Sequence, residues 1–369
     1  MSNARNLARL VVDSGGDLDA SAFGNVPAGK NKIINGDMRI DQRNVGASVN
    51  NQATNSYTLD RWNIYGDQAS KFSVQQNAGS VTPPLGFSNY LGITSLSALS
   101  PSATDLYILR HKIEGFNIAD LGWGTANAQS VTLSFWIRSS LTGTFGGVFS
   151  NGAGNRSYPF TYSITSANTW EQKTIIISGD TTGTWASDNT LGMQIIFSIG
   201  VGTNFQGTAG EWASAGYYAP TGATSVVGTS GATFYITGVQ LEVGSSASEF
   251  EHRQYGQELA LCQRYYCKTY AIATVPGTAT DTNAVTFPLQ GNCSYARTIW
   301  HFPVTMRATP TFVSYNTNNG TAGQVSADAS NYTNATLTVG EGRVTNGVSS
   351  QTIGVDTYLK WHGTASAEL

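Results

Sequence analysis

The chain has 369 residues, of which 12% are charged, and its net charge is -3. That share of charge is about half the usual one, and the balance offers no basic field for nucleic acid or an anionic membrane. Its 41 glycines, 17 tyrosines, 15 phenylalanines and 8 tryptophans, set among many Ser, Thr and Asn residues, predict an all-β protein with long polar loops. The three cysteines, Cys262, Cys267 and Cys293, are odd in number and lack paired spacing. A disulfide framework is therefore not expected, and reduced thiols fit folding in a cytoplasm. The N-terminus has no apolar core of a signal peptide, and no apolar run reaches the length of a membrane span, so no membrane insertion is expected.

In chain order, residues 1–30 form a separate zone. "SNARNLARLVVD" predicts a short helix with Leu7, Leu10 and Val11 on one face, and the stretch after it, containing Phe23, has turn chemistry and no period. Such a segment gains order only by packing against something else. From residue 31 to about 250 the apolar period is two. In "VTLSFWIRS", Val131, Leu133, Phe135 and Ile137 point one way, and "MQIIFSIGVG", "FTYSIT" and "FYITGVQLEV" repeat the pattern. One apolar face per strand predicts antiparallel sheets packed as a jelly-roll sandwich of eight to ten strands. Residues 251–268 change to helical spacing: Leu259, Cys262 and Tyr266 line one side of "QYGQELALCQRYYC", with Leu261 and Tyr265 beside them. A helix this short needs a neighbour, either the sandwich or another subunit. From 269 to 369 the period returns to two in "TYAIATV", "AVTFPL", "TFVSYN", "ATLTVG" and "TYLKWHG", which predicts a second, smaller β-sandwich domain.

The sequence lacks a nucleophile elbow, a phosphate-binding loop and a His-Glu-x-x-His metal motif, and its four histidines are scattered. No catalytic residue, cofactor or metal is expected. Two sites stay open between a chemical and a bland reading. Asn35, Asp37, Asp41 and Glu242 offer oxygens suited to calcium, whereas Asn35-Gly36-Asp37 also reads as a turn whose side chains bond their own backbone. Trp123, Trp185 and Trp212, with Tyr217 and Tyr218, lie in polar loops. They are candidates for stacking on sugars of a glycan, or else for capping the open end of the core. A carboxylate pair for glycoside cleavage is not legible in a β chain, and no internal repeat of the tailspike kind is present.

Three blocks then carry a resemblance: "NKIINGDMRIDQR" at 31–43, "YTLDRW" at 57–62, and "GVQLEVGSSASEFEHRQYGQELALCQRYY" at 238–266. With "FPVTMRATPTF" at 302–312 and the final "ASAEL", they resemble a widespread family of bacteriophage tail-fibre and virion appendage proteins. The resemblance implies a jelly-roll domain similar to carbohydrate-binding modules, closed by the Gln-Leu-Glu strand, with the helix handing the chain to the C-terminal module. It further implies a homotrimeric virion component that reaches a host surface glycan or receptor. The N-terminal segment, through Leu7, Leu10, Val11 and Phe23, would join a phage tail or capsid protein. Leu259, Leu261 and Tyr265 are the expected trimer contacts. The missing coiled-coil or β-helical shaft suits a short, adaptor-bound or capsid-attached fibre. A purely structural decoration or head-fibre protein is the alternative, and a polysaccharide-degrading tailspike the third reading.

Overall fold

A computed structural model describes residues 29–289, 293–327, 330–335, 338–353 and 358–369. The proposed docking residues Leu7, Leu10, Val11 and Phe23 lie outside them. The first domain is built from β1 (Val49–Asn50), β2 (Ser56–Tyr57), β3 (Trp62–Gly66), β4 (Phe72–Gln76), β5 (Leu91–Ser95), β6 (Leu106–Glu114) and β7 (Val131–Ser139). It continues with β8 (Gly143–Asn151), β9 (Ser157–Ile164), β10 (Glu171–Ile177), β11 (Leu191–Val201), β12 (Gln206–Gly207), β13 (Ala219–Pro220) and β14 (Thr233–Val243). Two six-stranded antiparallel sheets result, one in the order β1-β4-β5-β14-β7-β10 and the other β2-β3-β6-β11-β8-β9. Alternation sets their facing: Val131, Leu133, Phe135 and Ile137 of β7 meet Ile195, Phe197 and Ile199 of β11 in one fully buried cluster. This is the aligned packing of two pleated faces.

The Asn35-Gly36-Asp37 stretch runs beside β14. Asn35 adopts a left-handed backbone, its carboxamide accepts from Ile40 N and donates to Ile40 O and Asp60 O, and a Cβ on Gly36 would lie 2.1 Å from Val239 O. Asp41 accepts from Asn44 N and Gly46 N, Asp37 pairs with Arg39, and Glu242 is engaged by Gln240 and Ser248. The four side chains have separate partners, which is the turn reading. Among the described residues no group of three His, Cys, Asp or Glu is placed to hold a metal ion.

The helix α1 spans Tyr255–Gln263, nine residues, and is followed by β15 (Tyr266–Lys268). It begins four residues after and ends five residues before the bounds 251–268 expected for it. Its partner is the chain itself: Cys262 and Tyr265 are buried with Ile34 and Ile40, and Leu259 and Leu261 pack on the same cluster. The expected trimer contact at Tyr265 is thereby corrected. That ring is fully buried inside one chain, donates to Glu114 Oε2 at 2.7 Å and lies under the Arg61 guanidinium at 3.5 Å. The two leucines are only half-buried, and Leu261 also lines a 400 Å³ pocket with Phe116.

The second domain adds β16 (Val285–Pro288), β17 (Cys293–His301), β18 (Thr311–Tyr315), β19 (Gln324–Ala327), β20 (Ser330–Thr333), β21 (Thr338–Val339), β22 (Arg343–Ile353) and β23 (Tyr358–Ser366). Strand β23 is the hub, pairing with β15, β16, β18 and β19, while β17, β22 and β21 make a second sheet. Its core is Trp361, Leu359, Val325, Val344 and Met306. The expected strand "TYAIATV" is instead a series of turns after Lys268. The Lys268 ammonium donates to Ile272 O and Thr274 O, and Tyr270 stacks on His362 at 3.7 Å, which bends the segment back.

The two domains are fastened by the segment after β23. Glu368 accepts from Arg43 at 2.8 Å and from Arg61, and Leu369 O accepts from Tyr57 Oη at 2.8 Å and from Lys112 Nζ. Arg43 lies over the Tyr266 ring at 3.8 Å. Arg307 adds bonds to Ala367 O and Asn189 O.

Candidate functional site

The loop tryptophans come together, but as a cap on the core. Trp123 is 6% exposed and meets Trp185 and Trp212 edge-to-face at 4.7 and 5.3 Å, with Trp185–Trp212 at 5.6 Å. Each indole N–H is taken: Trp123 donates to Gln129 O, Trp212 to Ser178 O, and Trp185 towards Asp180, which holds Arg156 in a two-point pair. Trp123 thus has no free ring face to offer a sugar, while Trp185 and Trp212 are half-buried against the core. Mutual edge-to-face geometry suits space filling at an open sandwich end.

Tyr217 and Tyr218 belong to a different place, the segment that crosses the outer face of the second sheet. Tyr217 packs on Gly207, where a Cβ would lie 2.3 Å from its Cδ2. The crossing segment lies flat because Gly146 of β8 has no side chain: a Cβ there would sit 2.1 Å from Pro220 Cγ. Under this cover Ile108, Val148, Ile196, Val201 and Ala219 form a small apolar cluster, edged by Tyr65, Phe205 and Tyr218.

Alternation along β6 then sets what the same face shows next. Ile108 lies under the cover and Lys112 lies under Leu369, whose carbonyl its ammonium meets. Between them on the same strand face is Arg110, half-buried. The distance from Ile108 to Lys112 along the strand is about 13 Å, four residues of extended chain. Arg110 donates through Nε to Asn63 Oδ1 at 2.8 Å, through Nη1 to Gln194 Oε1 at 3.3 Å, and through Nη2 to Asn55 Oδ1. Asn63 is in turn fixed by Ser56 O, and Tyr65 by Asp67. Burial lowers the Arg110 pKa, and the phenols of Tyr57, Tyr218 and Tyr65 partly oppose that. Lys112 is pulled down to about 8, first by burial and then by Arg110.

The strip therefore combines a guanidinium held from below by the buried amides of Asn63 and Gln194, the exposed amide of Asn55 and tyrosine rings at its edges. This arrangement is able to bind a hydroxyl-rich ligand by hydrogen bonds and ring contact. Of the residues singled out from sequence, only Tyr218 edges it. Arg110, Asn63, Gln194, Asn55 and Tyr65 were missed. The one available signal was the pair of cations Arg110 and Lys112, spaced by two on a strand that opens with the apolar run at 106–109.

No protein-family model matches the sequence, and no curated protein matches it. Among solved structures, the chain is similar to a putative sugar binding protein from Bacteroides thetaiotaomicron, at 13% identity and a TM-score of 0.34, over 58% of this chain and 100% of that one. It is similar to the enzymatically active domain of tailspike protein 4 of bacteriophage CBA120, at 15% identity and a TM-score of 0.30, over 58% of this chain. The match spans only 22% of that tailspike chain. A family 11 carbohydrate-binding module from Clostridium thermocellum, in complex with a mixed-linked tetrasaccharide, is similar at 13% identity and a TM-score of 0.26, over 56% of this chain and 98% of that one.

Proposed function

We propose that the protein binds a glycan on the outer face of its second sheet, without cleaving it, as the recognition part of a virion fibre. The observation that carries the binding reading is the half-buried Arg110, set on one strand face between the apolar cluster at Ile108 and the contact of Lys112 with Leu369. Its donors are pre-positioned by their own hydrogen bonds, which lowers the ordering cost of binding. Arg110 meets the amide oxygens of Asn63, Gln194 and Asn55, which fix its guanidinium for hydrogen bonding to a ligand. The fibre role is supported by the sequence blocks at 31–43, 57–62 and 238–266 and by the closing "ASAEL". A homotrimer would multiply a weak single site by avidity.

The test is adsorption of the intact protein to host cells and to a glycan array, with Tyr218→Ala and Asn55→Ala variants, Asn55 being exposed and Tyr218 half-buried. Weakened adsorption at unchanged melting temperature is the expected result. Unchanged adsorption in both folded variants overturns the assignment of this face.

A further inference from the structure

Arg43, Arg61, Arg156, Arg253 and Arg264 each meet a carboxylate within 4.0 Å. Arg138 and Arg307 bond backbone carbonyls instead, and Arg110, which lies on the strip described above, also lacks a carboxylate among the described residues. Its three protein acceptors are the neutral amides of Asn55, Asn63 and Gln194, and it has no ion-pair partner among the described residues. The carboxylate on this face, Asp67, is committed to Tyr65 Oη at 2.7 Å and to Leu106 N. The neighbouring cation Lys112 is met by Leu369 O and favoured by the nearby Glu368 carboxylate, so the missing counter-charge is that of Arg110. A partly desolvated charge without a counter-charge is costly, and folded proteins normally pair it. Of the five guanidinium N–H groups three are used, which leaves one on each terminal nitrogen. Two such donors on one planar cation are what a carboxylate takes in bidentate fashion.

We infer that this face selects acidic glycans, in which a sugar carboxylate, as in uronic or sialic acids, supplies the missing partner of Arg110. This rests on the glycan reading given above and narrows it to a ligand class. The rest of the molecule favours selectivity over mere attraction, because the net charge is -3 and long-range attraction for polyanions is absent. Burial lowers the Arg110 pKa, and the phenols of Tyr57, Tyr218 and Tyr65 only partly oppose it.

The test uses the intact chain with polygalacturonate, hyaluronate and polysialate, each beside its neutral methyl ester, and dextran sulfate as a carboxylate-free polyanion. Affinity is read by calorimetry or gel retardation at 150 mM salt. At least one acidic polymer should bind about tenfold or more tighter than its ester, the scale of one charge-assisted bidentate contact. Arg110→Gln should erase that difference, and Arg110→Lys, which keeps the charge but not the fork, should retain part of it. Melting curves of both variants identify any loss that is due to misfolding. Equal binding of acid and ester, or a preference that survives Arg110→Gln in folded protein, overturns the inference while leaving the glycan reading intact. Dextran sulfate bound as tightly as the best acidic glycan also overturns it, since that is general anion binding. If the folded chain holds none of these polymers and the array is also blank, the glycan reading falls and the inference falls with it.

Discussion

Replacing Glu368 by Gln tests how the two domains are held together. The Glu368 side chain is 7% exposed and bonds two guanidiniums, Arg61 at 0% and Arg43 at 16% exposure. The amide keeps the shape and loses the charge, so two cations stay buried with no anion between them. Breaking a buried pair from one side costs about 3–5 kcal/mol. Because the amide oxygen still accepts one hydrogen bond, the lower end, about 3 kcal/mol, is expected. For a cooperative unit of 150–250 residues, each kcal/mol moves the midpoint by about 2–4 °C, so the melting temperature should fall by about 6–12 °C. Scanning calorimetry of the full chain measures it, and it also reports whether the two domains begin to melt separately. Glu341→Gln, on an exposed loop, is the control and should change little. A shift below about 2 °C for Glu368→Gln would refute the claim that this carboxylate holds the interface.

Other outcomes are equally specific. Trp123→Ala should cost about 3–5 kcal/mol, as for any large buried aromatic, while the folded fraction adsorbs to cells normally; loss of adsorption in fully folded protein would return the residue to the binding surface. His362 is held down to about 4 by burial, against an ordinary 6.5. Its stabilising contribution is therefore complete above 6.5 and is lost as pH falls towards 4. His362→Gln should flatten urea stability over that range, and an unchanged slope would discount the histidine. Asp60, pushed up to about 6 by burial, acts with the opposite sign. Its folded form holds a proton that the unfolded form has lost, so its contribution rises as pH falls from about 6 to 4, and Asp60→Asn should remove that gain. Sedimentation should give a trimer resistant to dilution, now with contacts other than Tyr265; a stable monomer at micromolar concentration removes the avidity argument.

Legibility in the sequence followed the range of the interaction. The strand Val131–Ser139 could be read because alternation is local and Val131, Leu133, Phe135 and Ile137 share one face. Thr233–Val243 could be read because its apolar residues resume alternation after a bulge between Thr237 and Gln240. Strands Cys293–His301 and Arg343–Ile353 carry Ser, Thr and Arg where an apolar face would be expected, and they form through pairing with each other. Tyr265 sat correctly in an apolar stripe, but the surface it fills comes from Ile34 and Ile40, more than two hundred residues earlier. The Arg110 strip was invisible for the same reason: its partners lie 47 and 84 residues away along the chain and meet it only through strand order. The loop tryptophans looked like sugar platforms because polar neighbours in sequence conceal a packed neighbour in space.

The joint at Glu368 also sets a clock. Arg61 and Glu368 are separated by 307 positions, and a ribosome adding about 5–20 residues per second needs roughly 15–60 s to cover that gap. Throughout that interval the β2–β3 end of the sandwich holds guanidiniums whose counter-charge has not been made. Chaperones and proteases meet an unfinished edge for that whole time. A nascent chain that stalls after the sandwich keeps β1 to β14 but lacks the carboxylate that closes the end around Arg61 and Arg43.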